Sequence, residues 1–193
     1  MAIPHIPCLR FGDPYVSLNK IEVNDYRDGT PKATVSQVNA GVVRRDLQRI
    51  DEARAALRKF TTAELIEIGA KAGEIFLNGK VQIGVEGEMQ SPQEYIETLS
   101  STSGLPHVMV KRNMDKIHYA LTNMQIVLNG LTRGIDLPIL DAGFGEQFGT
   151  QVCFYPTSKA LGLVMPSNSP AVNSLWLPAI ESQTPTVMNP GRD

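Results

Sequence analysis

Leu161–Gly191 reads LGLVMPSNSPAVNSLWLPAIESQTPTVMNPG, and this stretch decides the fold class. A short apolar run, Leu161–Met165, meets Pro166-Ser167-Asn168-Ser169-Pro170. A helix-compatible stretch, Val172–Ile180, follows, and Thr186-Val187-Met188 reads as a second short strand. Strand, turn, helix, strand is the opening of a βαβ unit. In open α/β sheets, ligands bind outside the carboxyl ends of the strands. Two prolines fix the backbone there around Asn168, whose amide could donate to a developing oxyanion without changing charge. The residues alone leave a second reading open, because Pro, Ser and Asn are all turn formers and a plain strand-ending turn uses the same types.

Upstream, Gln151–Tyr155 and Ala160–Met165 are rich in branched and aromatic residues and read as strands, with Pro156–Lys159 as the turn between them. The glycine-rich stretch from Gly130 to Gly149 contains Gly143-Phe-Gly145-Glu-Gln-Phe-Gly149. This has nearly the spacing of a dinucleotide fingerprint, but it misses by one residue and leads into a strand rather than a helix. It reads as a loop. Further upstream the chain is helical. Val110, Met114, Ile117, Leu121, Met124, Leu128 and Leu131 recur at alternating intervals of four and three, which predicts one helix with one apolar face. A contact face for a partner helix is the alternative. Ser91-Pro92-Gln93-Glu94 and Thr61-Thr62-Ala63-Glu64 are start signals for two more helices. Val43, Leu47, Ile50, Ala53, Leu57 and Phe60 predict a helix within Val35–Phe60. Residues 1 to about 33 hold Pro4, Pro7, Gly12-Asp13-Pro14 and Asp28-Gly29-Thr30-Pro31, and read as irregular, with room for a short strand around Tyr15–Val23.

The bulk properties set limits. The chain has 193 residues, 18 Lys plus Arg and 20 Asp plus Glu, for a formal charge of -2. That balance argues against a nucleic-acid partner held by a basic surface. No apolar run approaches the roughly 20 residues needed to span a bilayer, and Met1–Arg10 has no signal-peptide pattern. Cys8 and Cys153 are the two cysteines, too few and too far apart for a disulfide framework, which fits a cytoplasmic protein. His5, His107 and His118 lack metal-ligand spacing, so no metal is expected. No Gly-x-Ser-x-Gly elbow supports a serine hydrolase.

The quoted segment resembles the start of the Rossmann-type domain of the aldehyde dehydrogenase superfamily. That family runs an apolar strand into Pro-Trp-Asn-Phe-Pro, a helix, a second strand and Lys-Pro. The counterparts are Leu161–Met165, Pro166–Pro170 and Thr186–Pro190. Ser101-Thr102-Ser103-Gly104-Leu105-Pro106 resembles the family's Glu-Thr-Gly-Lys-Pro turn. The resemblance implies an α/β fold in which a helical N-terminal region leads into the first strands of an incomplete Rossmann-type parallel sheet. It divides the chain into an irregular arm (1–34), a helical N-terminal part of the cofactor-binding domain (35–148), a bridging, oligomerisation strand (149–160) and a truncated first βαβ unit (161–193).

By the same resemblance, Asn168 is the catalytic oxyanion donor. Met165, Pro166, Ser167, Asn189 and Gly191 line the path of an NAD or NADP cofactor. The substrate is a small-molecule aldehyde or an acyl thioester, and the full-length form is a homo-oligomer. Serines flank Asn168 where the family has Trp and Phe, and the helical link is two residues shorter, which is more like the CoA-acylating enzymes and acyl-CoA reductases. Asn189 stands where the family has the Lys that meets the adenosine ribose. The family's cysteine nucleophile and general-base glutamate lie beyond Asp193, so the chain is expected to be an inactive N-terminal portion of a longer oxidoreductase. A non-catalytic helical interaction module, using the Val110–Leu131 face, is the alternative.

Overall fold

A computed structural model describes residues 3–85, 87–166 and 169–189. The architecture is mixed α/β, with helices in the middle of the chain and small sheets at both ends.

The N-terminal segment is not irregular. It forms β1 (His5–Ile6), β2 (Cys8–Arg10), β3 (Asp13–Tyr15), β4 (Lys20–Asn24) and β5 (Pro31–Ser36). β5 is the centre of a three-stranded sheet, parallel to β1 and antiparallel to β4. β4 alternates exposed and half-buried residues, turning Ile21 and Val23 inward. The prolines and glycines that suggested irregularity sit between or at the ends of strands of two to six residues, except Pro14, which lies within β3 opposite Leu9. The Asp25–Thr30 turn closes β4 on β5, and Tyr26 N–H donates to Ser101 O at 2.9 Å, tying this sheet to the helices.

The helix expected within Val35–Phe60 is divided. Val35 and Ser36 belong to β5; Asn39 then caps α1 (Ala40–Leu47), and Arg49, off the helical conformation, separates it from α2 (Ile50–Leu57). Of the six apolar positions, only Ile50 is buried. α3 (Thr62–Asn78) and α4 (Pro92–Ser103) begin at the two capping boxes, with Thr61 and Ser91 each accepting from the backbone N–H three residues on and Glu64 and Glu94 reaching back. Between them lies the short ribbon β6 (Val81–Gln82) and β7 (Met89–Gln90).

The periodic stretch is two helices, α5 (His107–Thr122) and α6 (Met124–Leu131), broken at Asn123. Asn123 leaves helical geometry and its side chain bonds back to Tyr119 O at 2.9 Å, as Asn does when it competes with the helix ladder. The break leaves the apolar face in line: Val110, Met114, Ile117, Leu121, Met124 and Leu128 are all buried, and only Leu131 is exposed. A face buried within its own chain is not available to a partner helix, which removes the surface on which the interaction-module reading depended. Two clusters make the core. Met124, Leu128, Ile139 and Leu140 form one, and Ile96, Val110 and Met114 the other.

After α7 (Ile139–Ala142), the glycine-rich stretch is a hairpin rather than a loop. β8 (Phe144–Gln147) pairs antiparallel with β9 (Thr150–Cys153), Gln147 facing Thr150. Phe148 and Gly149 between them both have positive φ, 53° and 78°, the two-residue turn that matches the twist of a hairpin. Gly149 therefore serves the turn, while Gly143 caps α7 in a left-handed conformation and Gly145 lies within β8. The chain ends in β10 (Leu161–Val164), a 3-10 turn (Pro170–Leu175), α8 (Leu177–Glu181) and β11 (Thr186–Asn189).

Candidate functional site

β10 and β11 lie side by side and parallel, with Leu161 opposite Thr186 and Val164 opposite Asn189. The 3-10 turn and α8 form the crossover, so the last part of the chain is one βαβ unit. Met165 N–H donates to Asn189 O at 2.9 Å, one step beyond the paired strands. This brings two of the candidate residues, Met165 and Asn189, together at the carboxyl edge. Met165 is half-buried, while Pro166 and Asn189 are exposed. Ser167, Asn168 and Gly191 lie outside the described residues.

The crossover is held locally. Trp176 Nε1 donates to Asn173 Oδ1 at 3.1 Å, Asn173 Nδ2 donates to Pro170 O at 3.0 Å, and the Ser174 hydroxyl donates to Ala171 O at 2.8 Å. Two residues beyond α8, Gln183 holds a left-handed φ of 55° where glycine is the ordinary occupant. Its side chain offsets that strain, because Nε2 donates to Phe60 O and to Asp141 Oδ1, both at 2.8 Å. Asp141 Oδ1 also accepts from Thr62 N–H at 2.8 Å and from the Thr62 hydroxyl at 2.9 Å. Thr62, Asp141 and Gln183 thereby anchor the βαβ unit to the start of α3. Nothing in the sequence flagged Asp141 or Gln183, or joined them to Thr62, since the three stand far apart in the chain and only folding makes them neighbours.

Glu181, the last residue of α8, is buried at 2% exposure, and burial pushes its carboxyl up to about 7. A second polar cluster lies in the N-terminal sheet. His5 Nε2 is 2.9 Å from Ser36 Oγ, His5 Nδ1 is 2.8 Å from Thr34 Oγ1, and the Cys8 thiol donates to Ser36 O at 3.1 Å. Ser36 is buried and its Oγ already accepts from Ser17 N–H, so this cluster staples strands and presents no nucleophile. Burial pushes the Cys8 thiol up, which makes it less reactive. Among the described residues, no three His, Cys, Asp or Glu side chains stand close enough to hold a metal ion, and no helix is long and apolar enough to cross a membrane.

The carboxyl edge fits part of a dinucleotide. An exposed amide at Asn189 suits the paired hydroxyls of a ribose, and residues 161–189 contain no Lys or Arg to meet an additional phosphate.

No protein-family model matches this sequence, and no curated protein matches it. Solved structures do match. The salicylaldehyde dehydrogenase from Pseudomonas putida G7, solved with salicylaldehyde, superposes with a TM-score of 0.69 at 9% identity, over 99% of this chain and 36% of that one. The succinate-semialdehyde dehydrogenase from Burkholderia pseudomallei gives 0.67 at 18% identity, over 98% and 36%. The betaine aldehyde dehydrogenase from Staphylococcus aureus, a double mutant solved with NAD+, gives 0.63 at 17% identity, over 97% and 35%. The chain spans about a third of the length of each of these enzymes. The fold is thus shared with these aldehyde dehydrogenases along nearly the whole of this chain, over about a third of their length.

Proposed function

We propose that this chain is the N-terminal portion of an NAD(P)-dependent oxidoreductase that acts on an aldehyde or acyl-CoA through a cysteine thioester. The observation that carries the reading is the carboxyl edge where Met165 N–H meets Asn189 O, at the end of a parallel pair within an aldehyde dehydrogenase fold. Val164 at 84% exposure and Leu175 at 79% leave apolar surface bare around this unit, as in part of a larger α/β sheet.

In this reading Met165, Pro166, Ser167, Asn189 and Gly191 hold the dinucleotide. When bound, the nicotinamide supplies the hydride acceptor for aldehyde oxidation. The Asn168 amide donates to the substrate oxygen as charge builds on it. The nucleophilic thiolate comes from the remainder of the enzyme, so the chain alone has no turnover. The small serines beside Asn168 and the short crossover favour an acyl-CoA-reducing enzyme within this class. The stretch 149–160, which contains β9, serves as the bridging element of a homo-oligomer. Two free cysteines agree with a cytoplasmic setting.

The test uses the protein made from its natural gene. Its intact mass should exceed 21.1 kDa by a factor of about two to three, and it should form NADH when given an aldehyde, with or without CoA. A larger protein that reduces neither NAD nor NADP across a panel of aldehydes, and oxidises neither reduced cofactor with acyl-CoAs, overturns the reading. A finer expectation concerns Asn189. With no cation in residues 161–189, NAD should be preferred to NADP. Asn189→Lys should raise NADP affinity relative to NAD by about tenfold, the size of one charge-assisted hydrogen bond. Isothermal titration with both cofactors measures this, and an unchanged ratio removes Asn189 from the ribose contact.

A further inference from the structure

Glu181 ends α8 with its carboxyl turned onto α3. The contact is close because α3 presents a glycine there: a Cβ added at Gly69 would lie 2.8 Å from Glu181 Oε1 and 3.7 Å from Leu121 Cδ2. The residue is 2% exposed, and Oε2 has no hydrogen-bond partner among the described residues. A buried carboxylate left this way carries a large desolvation cost, whereas the neutral acid carries much less.

Among the described residues, the surroundings offer no offsetting charge. On α3, the residues one turn either side of Gly69 are Leu65, Ile66, Ala72 and Gly73, while Glu67 and Lys71 are exposed. α6 and the 3-10 turn, which also pack on α8, contain no titratable residue. α5 brings His118 near Gly73, a turn further along α3, but its Nε2 is 2.7 Å from Glu74 Oε1. α7 brings Asp141, whose Oδ1 is taken by Thr62 and Gln183.

We propose that Glu181 is a proton-loaded latch: the fold holds it as the neutral acid against Gly69, and its ionisation frees α8 from α3. The step moves one proton from the carboxyl to solvent and breaks no covalent bond. The latch lies in the crossover whose next strand, β11, carries Asn189, so opening it disturbs the carboxyl edge. The inference concerns the packing of this chain and does not depend on the proposed enzyme activity.

Burial raises the folded-state carboxyl from 4.5 to about 7. A raised acid is stabilising in its protonated form. Its contribution is complete below about 4.5, declines as pH rises, and is lost above about 7. This is opposite in sense to an ordinary paired carboxylate.

The experiment compares urea unfolding of the protein made from its natural gene and of its Glu181→Gln variant at pH 5 and pH 8. Glutamine keeps the shape without the proton, and the histidines contribute equally to both proteins. Between these pH values the wild type should lose on the order of a hundredfold in folding equilibrium constant relative to the variant. The protection of α8 and β11 amides, taken relative to the intrinsic exchange rate at each pH, should fall over the same range in the wild type alone. Parallel pH profiles overturn the proposal. Should Glu181→Gln fail to fold, carbon-13 NMR of the wild-type glutamates decides. A Glu181 carboxyl titrating near 7 supports the latch, and one titrating in the ordinary carboxylate range overturns it.

Discussion

Asp141→Ala is expected to lower stability by about 3 kcal/mol, a large fraction of what a domain of this size has. Asp141 Oδ1 accepts three hydrogen bonds, from Thr62 N–H, the Thr62 hydroxyl and Gln183 Nε2. Thr62 is the first residue of α3, so its N–H is one of the donors that a helix start cannot satisfy internally. At 1% exposure, water does not reach it easily. The carboxylate also sits at the positive end of the α3 dipole. Alanine removes all of this at once, while Gln183 Nε2 keeps only Phe60 O. Asp141→Asn retains an acceptor oxygen and should cost about 1 kcal/mol, chiefly the charge-assisted part. Denaturant midpoints of the two variants measure the difference. An alanine variant within about 0.5 kcal/mol of wild type, the range of an ordinary surface substitution, would show that these bonds do not anchor the βαβ unit.

Leu128→Ala should cost a similar amount, about 3 kcal/mol. Leu128 is 1% exposed on α6 and clusters with Met124, Ile139 and Leu140. Ile66 of α3, Val152 of β9 and Leu177 of α8 pack on the same cluster, so a cavity there loosens four helices and the hairpin together. Leu128→Met, which keeps the volume, should cost less than about 1.5 kcal/mol. Equal losses for the two variants would mean that the site tolerates no reshaping, and a negligible loss for alanine would mean that the cluster collapses around the gap.

What could be read in advance followed from how local its cause is. The starts of α3 and α4 were legible because Thr61 with Glu64, and Ser91 with Glu94, close their hydrogen bonds within one turn. The buried face from Val110 to Leu128 was legible because hydrophobic spacing records burial, but the same spacing hid the break at Asn123, across which the face continues. The parallel unit at 161–189 was legible as strand, helix and strand. The N-terminal strands were not, because runs of two to six residues carry too little periodicity and their pairing spans long separations, as His5 with Thr34 does. The β8–β9 hairpin was hidden by Phe148, an aromatic residue in a left-handed turn position where Asn or Gly is usual. Of the candidate site, Met165 and Asn189 are adjacent in the fold. The residues that brace the unit, Asp141, Gln183 and Glu181, belong to no motif. Their significance comes from partners 42 to 123 positions away or, for Glu181 Oε2, from having none among the described residues.

Those separations bear on how the chain is made. The ribosome delivers α3 long before the groups that finish its first turn. Asp141 follows Thr62 by 79 residues, and Gln183, which reaches back to Phe60, by still more. While the nascent chain grows, α3 relies on its own Thr61–Glu64 cap; the bonds at Thr62 form once Asp141 has emerged, and those of Gln183 only with the βαβ unit. Closing loops of that length costs little more free energy than closing short ones, but it takes time. Vectorial synthesis therefore leaves a waiting period in which α3 is helical yet not fully docked, and the emergence of residues 161–189 brings it to an end.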